Sequence, residues 1–174
     1  MMLLTMGVKN LFGTVVGPRK SQWHMHAGAD RVMFADLLLD ICRTVKPALT
    51  ILDGVWGMQG RGPNNGTPCH SGFLAASRDP LAMDLALAPL LGAHPASFPL
   101  YDAAVRRGFA RSDGSDTQMA GDDPNGLIPK DFQLPVLESV MPVPGFVSGL
   151  ICRHLTSRPF QDPGMCRNCG KCAE

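Results

Sequence analysis

The sequence predicts an α/β protein: a mixed sheet flanked by helices, loop-rich, and followed by the start of a ferredoxin-type module. Three observations carry that expectation. Apolar residues at helical spacing stand next to short β-branched runs, the alternation expected when helices pack on a sheet. Glycine (19) and proline (15) are abundant in 174 residues, well above the usual combined share of about 12%, so loops take much of the chain. Three of the six cysteines, Cys166, Cys169 and Cys172, crowd the carboxy end. A disulfide scaffold spreads its cysteines through a shorter chain, whereas crowding of this kind points to metal chemistry in a reducing compartment.

Taken in order, residues 1–8 read as a short buried strand, and 9–20 as a turn-rich loop with local positive charge. Residues 34–45 place Phe34, Leu37, Leu38, Ile41, Cys42 and Val45 at helical spacing, ending before Pro47, with Cys42 on the core side. Residues 49–53 are apolar and β-branched, a buried strand. A long glycine-rich loop is expected over 54–72, then a strand over 72–77. Asp79-Pro80 opens a helix, with a side-chain acceptor at the cap and a preset φ at the first position. That helix runs to about Leu90 and stops at Gly92, and another is expected over 100–107 before Gly108. Five prolines deny long elements to 112–145, leaving one or two short strands around 126–137. The organisation expected is an α/β domain over 1–156 and, over 157–174, a linker with an incomplete ferredoxin-type cysteine motif.

Sixteen basic against fifteen acidic residues give a net charge of +1, which offers nothing to a nucleic-acid backbone or an anionic membrane. The apolar start is too short and lacks the basic flank of a secretory signal, and no apolar run nears the ~20 residues that span a bilayer. The expectation is a cytoplasmic protein without nucleic-acid or membrane partners.

The strongest chemical signal is Cys166-Arg167-Asn168-Cys169-Gly170-Lys171-Cys172. Two successive two-residue gaps let three thiolates converge on three irons of a [4Fe–4S] cubane, and Gly170 relieves crowding around it. Zinc is the alternative, although structural zinc prefers two separated pairs. The bacterial pattern places its fourth cysteine just past Glu174, and Cys152 or His154 is the substitute within the chain. The second signal is the loop 57–68, where glycines admit backbone N–H groups to a ligand and Arg61, Asn64, Asn65 and Thr67 add donors. It lacks the Gly-Lys-Ser/Thr of a P-loop, and a plain wide turn explains it equally. The third is Asp84, alone among Leu, Ala and Met on its helix and directed inward. It either pairs with Asp53 around a cation or basic group, or braces a neighbouring loop by hydrogen bonds. Lys9, Asn10, Trp23, His24 and His26 are further candidates for the same pocket. Cys69-His70 is a weak nucleophile–base candidate, because sequence neighbours seldom face each other.

Five blocks in order carry a family resemblance: Lys9-Asn10-Leu11-Phe12-Gly13, Trp23-His24, residues 49–54, Gly60-Arg61-Gly62-Pro63 with Gly66-Thr67-Pro68, and residues 77–84. Together, over about residues 5 to 110, they resemble domain-of-unknown-function family 362, whose members often carry a C-terminal ferredoxin module. Family members usually extend further at both ends, so the resemblance implies a fragment of a longer protein. It brings no assigned reaction. The function expected is an iron–sulfur-associated redox protein that relays electrons, together with a redox partner protein, to a small molecule bound over the loop 57–68. Lys9, Asp53, Arg61, Asn64, Thr67 and Asp84 would hold that ligand. The rival is a non-redox ligand-binding or maturation module with a structural metal at the cysteines.

Overall fold

A computed structural model describes residues 2–27, 30–62, 65–112, 114–115, 117–126 and 132–135. Among them the fold is mixed α/β, with five α-helices and one antiparallel hairpin. The order is α1 (Gly7–Asn10), α2 (Gly17–Ala27), α3 (Arg31–Val45), β1 (Thr50–Arg61), β2 (Asn65–Ser77), α4 (Pro80–Leu90) and α5 (Pro99–Arg106). Short 3₁₀ turns cover Leu11–Thr14, Pro95–Ser97 and Pro124–Gly126.

The helices begin and end where local chemistry dictates. Asp30 caps α3 by accepting from the backbone N–H groups of Val32 (2.8 Å) and Met33 (3.2 Å). This starts the helix one turn before the expected Phe34. Lys46, at φ 47°, closes it in the left-handed region, ahead of Pro47. Asp79 caps α4 in the same way, accepting from Leu81 (2.8 Å) and Ala82 (3.3 Å), with Pro80 at the first helical position. Two helices finish in one motif. Gly92 (φ 83°) sends its N–H to Pro89 while Ala93 bonds back to Ala88, and Gly108 (φ 69°) and Phe109 repeat the pattern with Val105 and Ala104.

Phe34, Ala35, Leu38, Leu39 and Cys42 on α3 bury against Val8, Phe12, the apolar face of α4, and Leu100, Ala103 and Ala104 on α5. Charge clips α3 to α5. Arg106 reaches both Asp36 carboxylate oxygens at 3.1 Å, and Arg107 donates to the Asp36 carbonyl (3.0 Å) and to Asp40 (2.6 Å). Arg43 and Arg107 both lie over the Phe109 ring, at 4.4 and 4.9 Å.

Residues 9–20 are largely helical rather than a turn-rich loop, with a 3₁₀ turn over Leu11–Thr14 and α2 from Gly17, and the strand expected to be buried over 49–53 leaves Leu49 and Ile51 exposed. Three more expectations need correction. Residues 2–6 form no strand, and Gly7–Asn10 is helical. Met2, Leu3, Met6 and Val8 are buried as their apolarity required, but apolarity specifies burial and not conformation. The expected loop over 54–72 is instead a continuous ladder from Thr50↔Ser77 to Arg61↔Asn65. One irregularity interrupts it: Gly54 faces Phe73 and Trp56 faces His70, so Val55 stands opposite both Ser71 and Gly72. Glycine serves the ladder here. A Cβ on Gly54 would lie 2.5–2.8 Å from the Phe73 ring atoms, and Gly72 takes φ 71° at the bulge. Third, the sheet among the described residues is this two-stranded antiparallel hairpin and not a larger mixed sheet. Of the strands expected around 126–137, residues 126 and 132–135 contain none; the rest lie outside the described residues. Gln133 nevertheless joins the hairpin. It accepts from the Gly60 N–H (2.7 Å) and donates its own N–H to the Gln59 side-chain oxygen (3.0 Å).

Candidate functional site

The most constrained polar group in the described core is Asp84. It sits on the inward face of α4 with 2% of its surface exposed. Its two oxygens accept the N–H groups of Gly7 (2.8 Å) and Val8 (2.9 Å). Those are the first donors of α1, and Met6 at the cap position supplies no side-chain acceptor. A carboxylate 76 positions away therefore does the capping. Glycine at position 7 suits this approach, because an added Cβ would lie 3.0 Å from Met83 Cε and 3.1 Å from both Asp84 Oδ1 and Thr50 Cγ2, and these atoms would have to shift. Burial pushes the Asp84 pKa up to about 7; the two N–H bonds pull it down, and Asp79 nearby adds to the rise.

Lys9 follows directly after Val8 in α1. Its ammonium donates to Thr5 Oγ1 at 2.9 Å, and burial lowers its pKa. Lys9 and the Asp84 carboxylate thus lie on the same helical turn but bond to different partners. Asp53 is elsewhere: it lies opposite Leu74 on the exposed face of β1, and its carboxylate accepts from the Val55 N–H at 3.0 Å. Arg61 and Thr67 stand at the far end of the hairpin, opposite Asn65 and Gln59. Eight residues of strand, roughly 26 Å, separate Asp53 from Arg61. The five described ligand candidates are therefore distributed over three places, and Asn64 lies outside the described residues. Cys152, His154, Cys166, Cys169 and Cys172 lie outside them too. Among the described residues no three His, Cys, Asp or Glu side chains come together as metal ligands.

His24 packs against the rings of Phe12 (6.2 Å) and Phe34 (5.5 Å), while Trp23 and His26 face outward. Cys69 and His70 are consecutive on β2, and His70 is turned onto Trp56 at 4.9 Å. Sequence reasoning missed a cavity of about 300 Å³ between α4, α5 and residues 110–119, walled by Leu85, Pro89, Pro95 and Met119. Tyr101 borders it and donates its hydroxyl hydrogen to the Arg111 and Ser112 carbonyls, each 3.1 Å away. Its lining mixes ordinary apolar residues with Arg111, Ser112 and Thr117 from separate segments, so no sequence pattern announces it.

The family model described as Domain of unknown function (DUF362) matches residues 1–89. The chain belongs to that family. The matched stretch contains the whole Gly7–Asp84 brace and the hairpin. The chain is also similar to the thylakoid-associated protein sll1697 of Synechocystis sp., 38% identical over 140 residues. Those residues are 80% of this chain and 43% of the relative, so the matched stretch spans less than half of the relative's length. No solved structure matches.

Proposed function

We propose that the protein is an iron–sulfur-associated redox protein, and one observation carries this: the spacing Cys166-x2-Cys169-x2-Cys172. The donor chemistry fits, since three soft thiolates at two-residue gaps match three irons of a cubane and suit paired zinc knuckles less well. A bound [4Fe–4S] cluster supplies a one-electron carrier. Cys166, Cys169 and Cys172 would hold it as thiolates, with Gly170 adding no side chain beside them. Arg61 and Thr67 at the hairpin end offer donors to a small anionic or polar ligand, and Asn64 extends that set. Asp84 serves the α1–α4 brace instead, through the Gly7 and Val8 N–H groups. Anaerobic reconstitution of the full chain with iron and sulfide tests the reading. Bound iron, acid-labile sulfide and a reducible EPR signal that Cys169→Ser abolishes are expected. Stoichiometric zinc without sulfide favours the structural-metal alternative.

A second proposal concerns location. Among the described residues no helix is long and apolar enough to cross a membrane. Residues 1–29 hold Lys9, Arg19 and Lys20 but no acidic residue, which leaves −2 on the remainder of a chain of net +1. Arg19 and Trp23 are exposed one turn apart on α2, an arrangement suited to an anionic lipid surface. With the relative's name as further support, we propose a weak peripheral contact with such a surface in place of a freely cytoplasmic protein. Co-sedimentation with phosphatidylglycerol vesicles, lost at high salt and in Arg19→Glu with Lys20→Glu, is the expected result.

A further inference from the structure

His24 and His26 both lie on α2, inside the amino-terminal stretch that holds no acidic residue. Residues three and four positions apart are neighbours on a helix, so Trp23 is bordered by Arg19, Lys20, His26 and Ala27. Ala27 is buried, whereas Arg19, Lys20, Trp23 and His26 are exposed. The outer face of α2 is therefore an indole set among two permanent cations and one imidazole. Val16, just ahead of the helix, adds a second apolar side chain that is 69% exposed.

The two histidines stand differently on this helix. His24 packs on the Phe12 and Phe34 rings, and the Lys20 ammonium lies over the same Phe12 ring at 5.9 Å. A charge gained at His24 thus meets the Lys20 charge across one ring, while a charge gained at His26 goes to the outer face beside Trp23. The elements packed on α2 do little to oppose it. The 3₁₀ turn Leu11–Thr14 has no ionisable side chain. From α3 come Asp30, whose carboxylate already accepts the Val32 and Met33 N–H groups, and Arg31 next to it. Further along α3, Asp36 and Asp40 are held by Arg106 and Arg107.

We infer that this face makes an acid-strengthened contact with an anionic lipid surface: Trp23 sits among the headgroups, Arg19 and Lys20 meet the phosphates, and His26 adds its charge as the pH falls. The inference rests on the peripheral contact proposed above and supplies its regulation. Histidine is the side chain whose charge ordinarily changes between about pH 5 and 8. Lys9, Arg19 and Lys20 give residues 1–29 a charge of +3, and the two imidazoles raise it to +5 when both are charged. Each cation brought against an anionic surface strengthens binding by about fivefold. Screening confines that gain to charges within about 10 Å of the lipid, which favours the imidazole on the contact face itself.

Co-sedimentation of the full chain with phosphatidylglycerol vesicles in low salt, at about pH 7.5 and about pH 5.5, tests this, since the lipid keeps its charge over that range. Binding tighter by about fivefold at the acid pH is expected, with the step nearly lost in His26→Gln and kept in His70→Gln, which alters the hairpin instead. His26→Arg should bind at the higher pH as tightly as the parent chain does at the lower. In Trp56→Phe the remaining indole is Trp23, and its emission should shift to the blue on adding vesicles, more so at the acid pH. Equal binding at the two pH values, or a step that survives in His26→Gln, overturns the acid strengthening while the lipid contact itself stands. Absence of sedimentation at both pH values overturns the two together.

Discussion

Asp84 shows how much one side chain can decide. Replacing it with alanine leaves the N–H groups of Gly7 and Val8 buried without acceptors, at about 1–3 kcal/mol for each. Urea unfolding of Asp84→Ala should show that loss as a lower midpoint. Its titration gives a second expectation. The folded-state pKa is raised to about 7 from the ordinary 3.8, so the native protein binds this proton more tightly than the unfolded chain. Stability from this group therefore falls as pH rises from about 4 to about 7 and then levels off. In Asp84→Asn that part of the slope should vanish from unfolding curves recorded across the same range. Gly7→Ala should destabilise by about 1–3 kcal/mol, because Met83, Asp84 and Thr50 crowd the new methyl group. The inward direction of Asp84 was legible from its apolar helix. Its partners were not, since nothing local in the sequence links residues so far apart.

Elements with local signals were the ones the sequence disclosed. The start and stop of α4 follow from Asp79, Pro80 and Gly92, which act within a few residues of themselves. The hairpin was misread for a physical reason: the same glycine content marks a wide loop or a ladder in which a ring crosses close to backbone. Gly54 and Phe73 are that second case. Gly54→Ala should lower stability by about 1–3 kcal/mol. Adding Phe73→Leu should recover part of the loss, a coupling visible in a double-mutant cycle of denaturation midpoints. The N-terminal apolar run failed in another way, because Met2, Leu3 and Met6 are buried without a strand to pair with.

Across the whole molecule, family membership could be read from motif blocks and the positions of α3, α4 and α5 from local signals, while α1, α2 and the tertiary clips could not. Arg107 joins Asp36, Asp40 and Phe109, all brought to it by the α3–α5 packing. Arg107→Ala should cost about 1 kcal/mol and lower the thermal midpoint, with the difference shrinking in high salt as the Asp40 pair is screened. The cavity beside Tyr101 was hidden for the same reason: its lining converges from α4, α5 and residues 110–119 only after they pack.

The Gly7–Asp84 bond also sets an order of events at the ribosome. The cap of this first turn is made 77 residues after the turn itself, roughly 4–15 s at ordinary translation speeds of about 5–20 residues per second. Throughout that interval the greasy side chains and open amides around Gly7 and Val8 lack the carboxylate that closes over them in the finished fold.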